Sequence, residues 1–336
     1  MLTKGNDFMA EKHITSIGGQ AVIEGVMMRG PFKTATAVRK PDGEIECKIE
    51  ENGTKKANKF LKLPIVRGCV NFVSSLVIGM KALMFSAEFV DIEGEEETES
   101  KFEKWLEDKL GDKIKDVVIY FSIILSIGLS IGLFILLPTA ITQGIGWCFE
   151  KIGLGRISET ATFISTCEGI IKMAIFLGYM YLVSKMEDIK RVFEYHGAEH
   201  KTIACYEAGE ELTVENVKKH SRFHPRCGTS FLLIVMVVSI IIFALLPKFS
   251  GEGYSAIQTL LLRMGTRLLL LPVVAGISYE AIKIAGKSKN KGVCALTKPG
   301  LWLQKLTTRE PNEKQIEVAI RSISEVIPED KEADKW

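Results

Sequence analysis

The chain is 336 residues long, 47% hydrophobic and 25% charged, with a formal net charge of +2. That near-neutral balance argues against a dedicated nucleic-acid binder, and the length admits two domains. Two uncharged runs exclude a purely soluble protein. Val117 to Phe149 spans 33 residues and Cys227 to Pro247 spans 21, whereas about 20 apolar residues cross a bilayer as a helix.

The N-terminal region, 1–63, reads as β-rich and cytoplasmic. Thr34–Lys40 and Glu44–Glu50 flank Pro41-Asp42-Gly43, a turn signal, and Ile45, Cys47 and Ile49 should share one face. Upstream, Gly18, Gly19, Gly25 and Gly30 punctuate an apolar stretch. No Gly-Lys-Ser/Thr follows, so they form no P-loop. They are expected to mark tight turns; the alternative is close approach of backbone to a ligand, with Glu24 and Arg29 as polar handles. Met1–Asn6 lacks the apolar core of a cleavable signal, and the seven cysteines show no paired spacing, which fits a reduced setting.

Region 64–116 follows. Pro64–Val90 is apolar but interrupted by Arg67 and Lys81, leaving 13 uncharged residues, Gly68 to Met80. That is about 20 Å of helix against ~30 Å of hydrocarbon, so an interfacial or re-entrant helix is expected. Asp91–Ser100 reads as an acidic tether, and Lys101–Asp116 as an amphipathic helix.

Region 117–285 is the transmembrane domain, with four spans expected: Val117–Leu137, ended by Pro138; about Thr160–Ser184; Ser230–Leu246; and about Leu268–Ala285, with Pro272 inside and Glu280 near its end. Glu168 and Lys172 interrupt the second at i, i+4. They are either a functional ionisable pair or a structural pair facing the bundle. Lys and Arg number eight in Lys185–Thr229 but two in Pro138–Glu159 and two in Lys248–Thr266. The positive-inside rule then places the loop 185–229, the N-terminal region and the tail 286–336 in the cytoplasm. The expected fold is a mainly α, polytopic plasma-membrane protein with both termini inside. In the tail, Ile316, Ala319, Ile320 and Ile323 form a helical stripe between about Asn312 and Val326, and Trp302 reads as an interfacial anchor.

The loop 185–229 holds four of the five histidines, as His196-x3-His200 and His220-x3-His224, together with Cys205 and Cys227. Imidazole and thiolate suit zinc and related metals, and i, i+4 spacing puts two side chains on one helix face. His196-Gly-Ala-Glu199-His200 also fits the H-x-x-E-H arrangement in which the Glu is a general base beside a metal.

Four segments, GGQAVIEGVMMRGP, EYHGAEHK, HPRCGTSFL and KPGLWLQ-LTT-REP, occur in this order across almost the whole chain. The sequence thereby resembles the YqhQ-like family of bacterial membrane proteins of unknown function, described as predicted metal-dependent enzymes. The resemblance implies metal dependence without naming a substrate. It carries over to Glu24, His196, Glu199, His200, His224 and Cys227. The expected ligands to a divalent ion, zinc foremost, are His196, His200, His224 and Cys227, with His220 and Cys205 in reserve. Three ligands would leave a coordination place for water, whereas four would close the site. Two functions follow. One is a zinc-dependent hydrolase acting on a lipid-linked or peptide substrate at the bilayer, with Glu199 as base and Glu280 as the one carboxylate available as a distant ligand. The other is a non-enzymatic scaffold or transport-linked regulator with a structural metal, in which Glu168, Lys172 and Glu280 are the polar residues of interest.

Overall fold

A computed structural model describes residues 13–52, 63–89, 114–154, 161–246, 255–287, 291–330 and 332–335. The chain is mainly helical and divides into two compact units: Met1–Val90, Val183–Leu233 and Tyr279–Trp336 form the first, and Asp91–Leu182 with Ile234–Ser278 the second. The acidic stretch Asp91–Ser100 and the expected helix from Lys101, up to residue 113, lie outside the described residues.

The first unit opens with an antiparallel meander, β1 (Gly18–Val22), β2 (Gly25–Arg29), β3 (Lys33–Arg39) and β4 (Ile45–Glu51), in sequential order. Pro41-Asp42-Gly43 turns β3 into β4 as expected, with Gly43 at φ +90°. Ile45 and Cys47 pack toward the core, but Ile49 near the strand end is exposed. Of the four glycines only Gly30 marks a turn, the one between β2 and β3, where its N–H donates to Lys33 O at 2.8 Å. Gly18, Gly19 and Gly25 lie within strands, and Gly19 is bare because a Cβ there would meet the carbonyl oxygen of Met27 and the side chain of Glu199. The β1–β2 turn instead puts Glu24 in the left-handed region, at φ +50°, which costs a non-glycine residue about 1–2 kcal/mol.

The alternating side chains of β2 and β3 bury both faces of the sheet. On one, Val22, Met27 and Val38 meet Ala82, Ile78 and Phe85 of α1 (Pro64–Ala87). On the other, Val26, Met28, Ala35 and Ala37 meet α5 (Glu187–Glu207) and α10 (Glu313–Ser324). The expected stripe on α10 is that contact: Ile316, Ala319 and Ile323 are fully buried, and each isoleucine contributes about 2 kcal/mol by leaving water. Asn312 caps α10 reciprocally with Gln315. The unit is completed by α6 (Val214–Lys219), α9 (Lys291–Thr307), and the adjoining ends of α7 (Gly228–Ala244) and α8 (Ala256–Lys287).

The second unit contains α2 (Ile114–Ile131), α3 (Leu137–Lys151), α4 (Ala161–Val183) and the remainders of α7 and α8. Pro138 does not end the first apolar helix. The chain widens into a π-helical turn, Gly132–Leu136, in which Leu137 N–H donates to Gly132 O, and helix resumes as α3. A proline lacks the N–H and crowds the preceding turn, and the i→i+5 ring makes room for it. Among the described residues, three stretches are long and apolar enough to cross a membrane: Val66–Ala87, Ile124–Lys151 and Thr162–Val183; Gly228–Ala244 is a shorter apolar helix. Expected as interfacial, α1 is thus a continuous helix of spanning length.

Candidate metal centre

The centre is built on α5. From Tyr195 onward nearly all its residues are buried between the sheet, α6 and α10. His196, His200 and Glu207 fall at i, i+4 and i+11, one face of a 3.6-residue period. Gly197 is obligatory between the histidines, because any Cβ there would strike the Arg309 carbonyl oxygen.

Each histidine is oriented through its far nitrogen. His196 Nδ1 donates to Thr307 O at 2.8 Å, and His200 Nδ1 donates to Arg222 O at 2.6 Å. Carbonyls accept only, so these contacts place the proton on Nδ1 and leave Nε2 as the donor atom for a ligand, the usual outer support of a metal-binding imidazole. Cys227 Sγ lies 3.3 Å from His196 Nε2. The donor atoms of His196, His200 and Cys227 all lie within 4.8 Å of one another.

Electrostatics make these groups a charged couple when no ion is bound. Burial opposes ionisation of Cys227, but His196 and His200 prevail and hold its thiol well below the ordinary value. Its position immediately before α7 adds helix-dipole support for a thiolate. Burial likewise opposes charging of His196, yet the thiolate and then Glu199 raise it to about 9. Glu199 is 4% exposed, with Oε2 3.8 Å from His196 Nε2.

His224 is placed differently. Gln304, fully buried on α9, grips its backbone: Gln304 Oε1 accepts from His224 N–H at 2.9 Å, and Gln304 Nε2 donates to His224 O at 2.7 Å. Its ring centroid is 5.7 Å from that of His200. His224 Nε2 lies 3.6 Å from Glu207 Oε2, within ion-pair range, and is a buried nitrogen with no hydrogen-bond partner. The structure therefore brings three of the four expected ligands into one group and leaves His224 beside it. Glu207 also accepts from Arg226 and from the Thr15 backbone N–H, the latter at 3.0 Å.

The remaining expected residues lie elsewhere. Glu280 accepts from Arg67 Nη2 at 2.5 Å, and the histidine group does not include it. Glu24 receives both Nε and Nη2 of Arg191 at 2.5 Å and Tyr195 Oη at 3.2 Å, which fastens the β1–β2 turn to α5. Glu168 and Lys172 belong to the second unit. Sequence reasoning missed Glu207, Arg226, Gln304 and Thr307. Only Glu207 left a local trace, in its helical spacing from His196.

Residues from all four sequence segments meet around this centre: Gly19 against Glu199, His196 and His200 on α5, the 224–227 turn, and Gln304 with Thr307 on α9. No solved structure matches the chain. The uncharacterized protein YqhQ of Bacillus subtilis (strain 168) is 38% identical over 324 residues, covering 92% of each chain. Residues 63–329 match the model of a family described as protein of unknown function (DUF1385). The chain belongs to that DUF1385 family.

Proposed function

We propose that the protein is a four-span membrane protein whose cytoplasmic face holds a zinc-class divalent ion on His196, His200 and Cys227, and that it hydrolyses a membrane-associated substrate. The observation carrying this reading is the convergence of one nitrogen each from His196 and His200 with the Cys227 sulfur within 4.8 Å, while both Nδ1 atoms are held by carbonyls. Imidazole and thiolate fit zinc in type, and three protein ligands leave one coordination place. Zinc bound there would lower the pKa of a coordinated water to about 7. Glu199, whose Oε2 stands 3.8 Å from His196 Nε2, is the proton acceptor in this reading. Neutral His224, with its unpartnered Nε2, is the next polar group beside His200.

Connectivity supports the four spans. The sheet, α5 and α10 share one core, so they lie on one side of any bilayer, and the chain between β4 and α5 crosses an even number of times. Three stretches there have spanning length. Among the three, α1 packs its second half against the sheet, through Ile78, Ala82 and Phe85. That favours α1 along the interface, with Val73, Leu76, Val77, Met80 and Met84 exposed to lipid.

Burial of His200, Glu199 and Cys227 favours the second reading, a closed structural site in a scaffold. One comparison separates the two. In detergent-purified protein, His200→Ala should remove one equivalent of bound zinc; unchanged zinc content overturns the site. Glu199→Gln should retain zinc while losing ~10²–10⁴-fold in the catalysed rate, seen as failure to complement a deletion strain. Full complementation by Glu199→Gln leaves the scaffold.

A further inference from the structure

We propose that Cys205, Glu210 and His220 form a second site for a zinc-class divalent ion, distinct from the group at His196, His200 and Cys227. Cys205 lies five residues beyond His200 on α5, which is about 7.5 Å along the axis and about 140° around it. Its thiol therefore points away from the first group, into the turn that leads to α6.

The local chain closes a pocket of donors around that thiol. Gly209, at φ +72°, reverses the backbone after α5. Thr213 caps α6 by accepting from Asn216 N–H at 3.3 Å, and Asn216 Nδ2 donates to Glu211 O at 3.0 Å. His220 follows the last residue of this short helix and returns toward the start of the turn, with Nε2 3.3 Å from Glu210 Oε2. Cys205 Sγ, Glu210 carboxylate and His220 imidazole atoms all fall within 4.8 Å of one another. They offer one sulfur, one oxygen and one nitrogen, a mixed set that suits zinc and cobalt over calcium or magnesium.

The protein alone uses these groups poorly. Cys205 makes only a weak 3.6 Å contact from Sγ to Glu211 O. The His220–Glu210 pair sits at the surface, with side chains 18% and 43% exposed, where an ion pair is worth little. An ion joining all three would clip α6 to the end of α5. It would also brace the first site, because His220 is two residues before Arg222, whose carbonyl orients His200 and whose guanidinium donates to Thr308 O.

The test is a cobalt titration of full-length, detergent-purified protein stripped by chelation, read by thiolate-to-cobalt charge-transfer absorption and by bound cobalt per chain. Four proteins are compared: wild type, His220→Ala, Cys205→Ala and the double variant His196→Ala/His200→Ala. His220→Ala is the principal variant, since its side chain lies near the surface and circular dichroism can verify its fold. The expected result is two equivalents in wild type, one in His220→Ala and Cys205→Ala, and one in the double variant. If wild type binds one equivalent that His220→Ala abolishes and the double variant keeps, the second site stands and the first falls. A His220→Ala protein that is folded and binds as much cobalt as wild type overturns the proposal, whatever the total.

Discussion

The two units each bury a knot of ionisable residues, and the knots are built on opposite principles. In the second unit, Glu168 on α4 is almost wholly buried and receives both Nη atoms of Arg267 at 2.7 and 2.8 Å, with Lys172 Nζ at 2.9 Å. Thr139 Oγ1 approaches within 3.4 Å. Both carboxylate oxygens are thus satisfied by the protein. In the first unit, His196 and His200 are held from behind by backbone carbonyls, and their donor atoms gather with the Cys227 thiol. A saturated ion network is a means of closing a helix bundle, whereas converging lone pairs leave work for a ligand. Ionisable residues in an apolar segment therefore mark a site only when their partners leave something unpaired.

The largest expected effect breaks the saturated knot. Glu168→Ala leaves the half-buried Arg267 and Lys172 without their counter-charge, and removing one partner of a buried pair costs up to about 3–5 kcal/mol. Thermal unfolding in detergent should show a collapse of stability that adding zinc does not restore. A Glu168→Ala protein as stable as wild type would mean that the carboxylate is not structural, and the contrast between the units would fail.

The second effect belongs to the converging knot. Stripping the metal from wild type should lower the unfolding temperature, and restoring zinc at about 100 times its dissociation constant should return about 2.7 kcal/mol for each site filled. His200→Ala should lose the part of this response that comes from the first site. A response identical to wild type in that variant would remove the ligand from the argument.

A smaller effect comes from acid. Burial, then Arg226 and His200, hold His224 below its ordinary 6.5 despite Glu207. The unfolded chain then takes up a proton near 6.5 that the folded chain refuses, so stability falls as pH drops through that range. Burial opposes ionisation of Glu207, but His224 and Arg226 hold its carboxyl well below 4.5. Its contribution is complete above 4.5 and declines as pH falls below it, the same sign. Comparing wild type with Glu207→Gln across pH 7 to 3 should flatten the lower step. An unchanged acid limb would show that Glu207 carries no such load.

What the sequence revealed follows the range of the interactions. His196 with His200, and Glu168 with Lys172, were legible because helical spacing brings i and i+4 together. The stripe on α10 was legible for the same reason. Arg267 lies 99 residues from Glu168, and Arg67 lies 213 from Glu280, and no local period encodes such pairings. Glu280 was read as a distant metal ligand because its cation could not be seen. Pro138 was read as a stop because a π-helical turn has no composition of its own. Gly19 was read as a turn because one of its actual neighbours, Glu199, is 180 residues away.

The smallest expected effect asks how tightly the first unit's frame controls its donors. Asn312 accepts from Gln315 N–H at 2.9 Å, Gln315 returns a bond to the Asn312 N–H at 2.9 Å, and Gln315 Nε2 also reaches Glu194 Oε2 at 2.8 Å on α5. The capping box thus ties α10 to the helix bearing the histidines, two residues before His196. Asn312→Ala deletes the cap and should cost about 1 kcal/mol, while Asn312→Ser should recover most of it. The backbone carbonyls that orient His196 and His200 belong to Thr307 and Arg222, outside α10, so zinc stoichiometry and affinity should be unchanged within error in both variants. If Asn312→Ala weakens zinc binding beyond its effect on unfolding, α10 does more than support the core, and the donors would be set by the packing of the whole unit and not by their own carbonyl contacts.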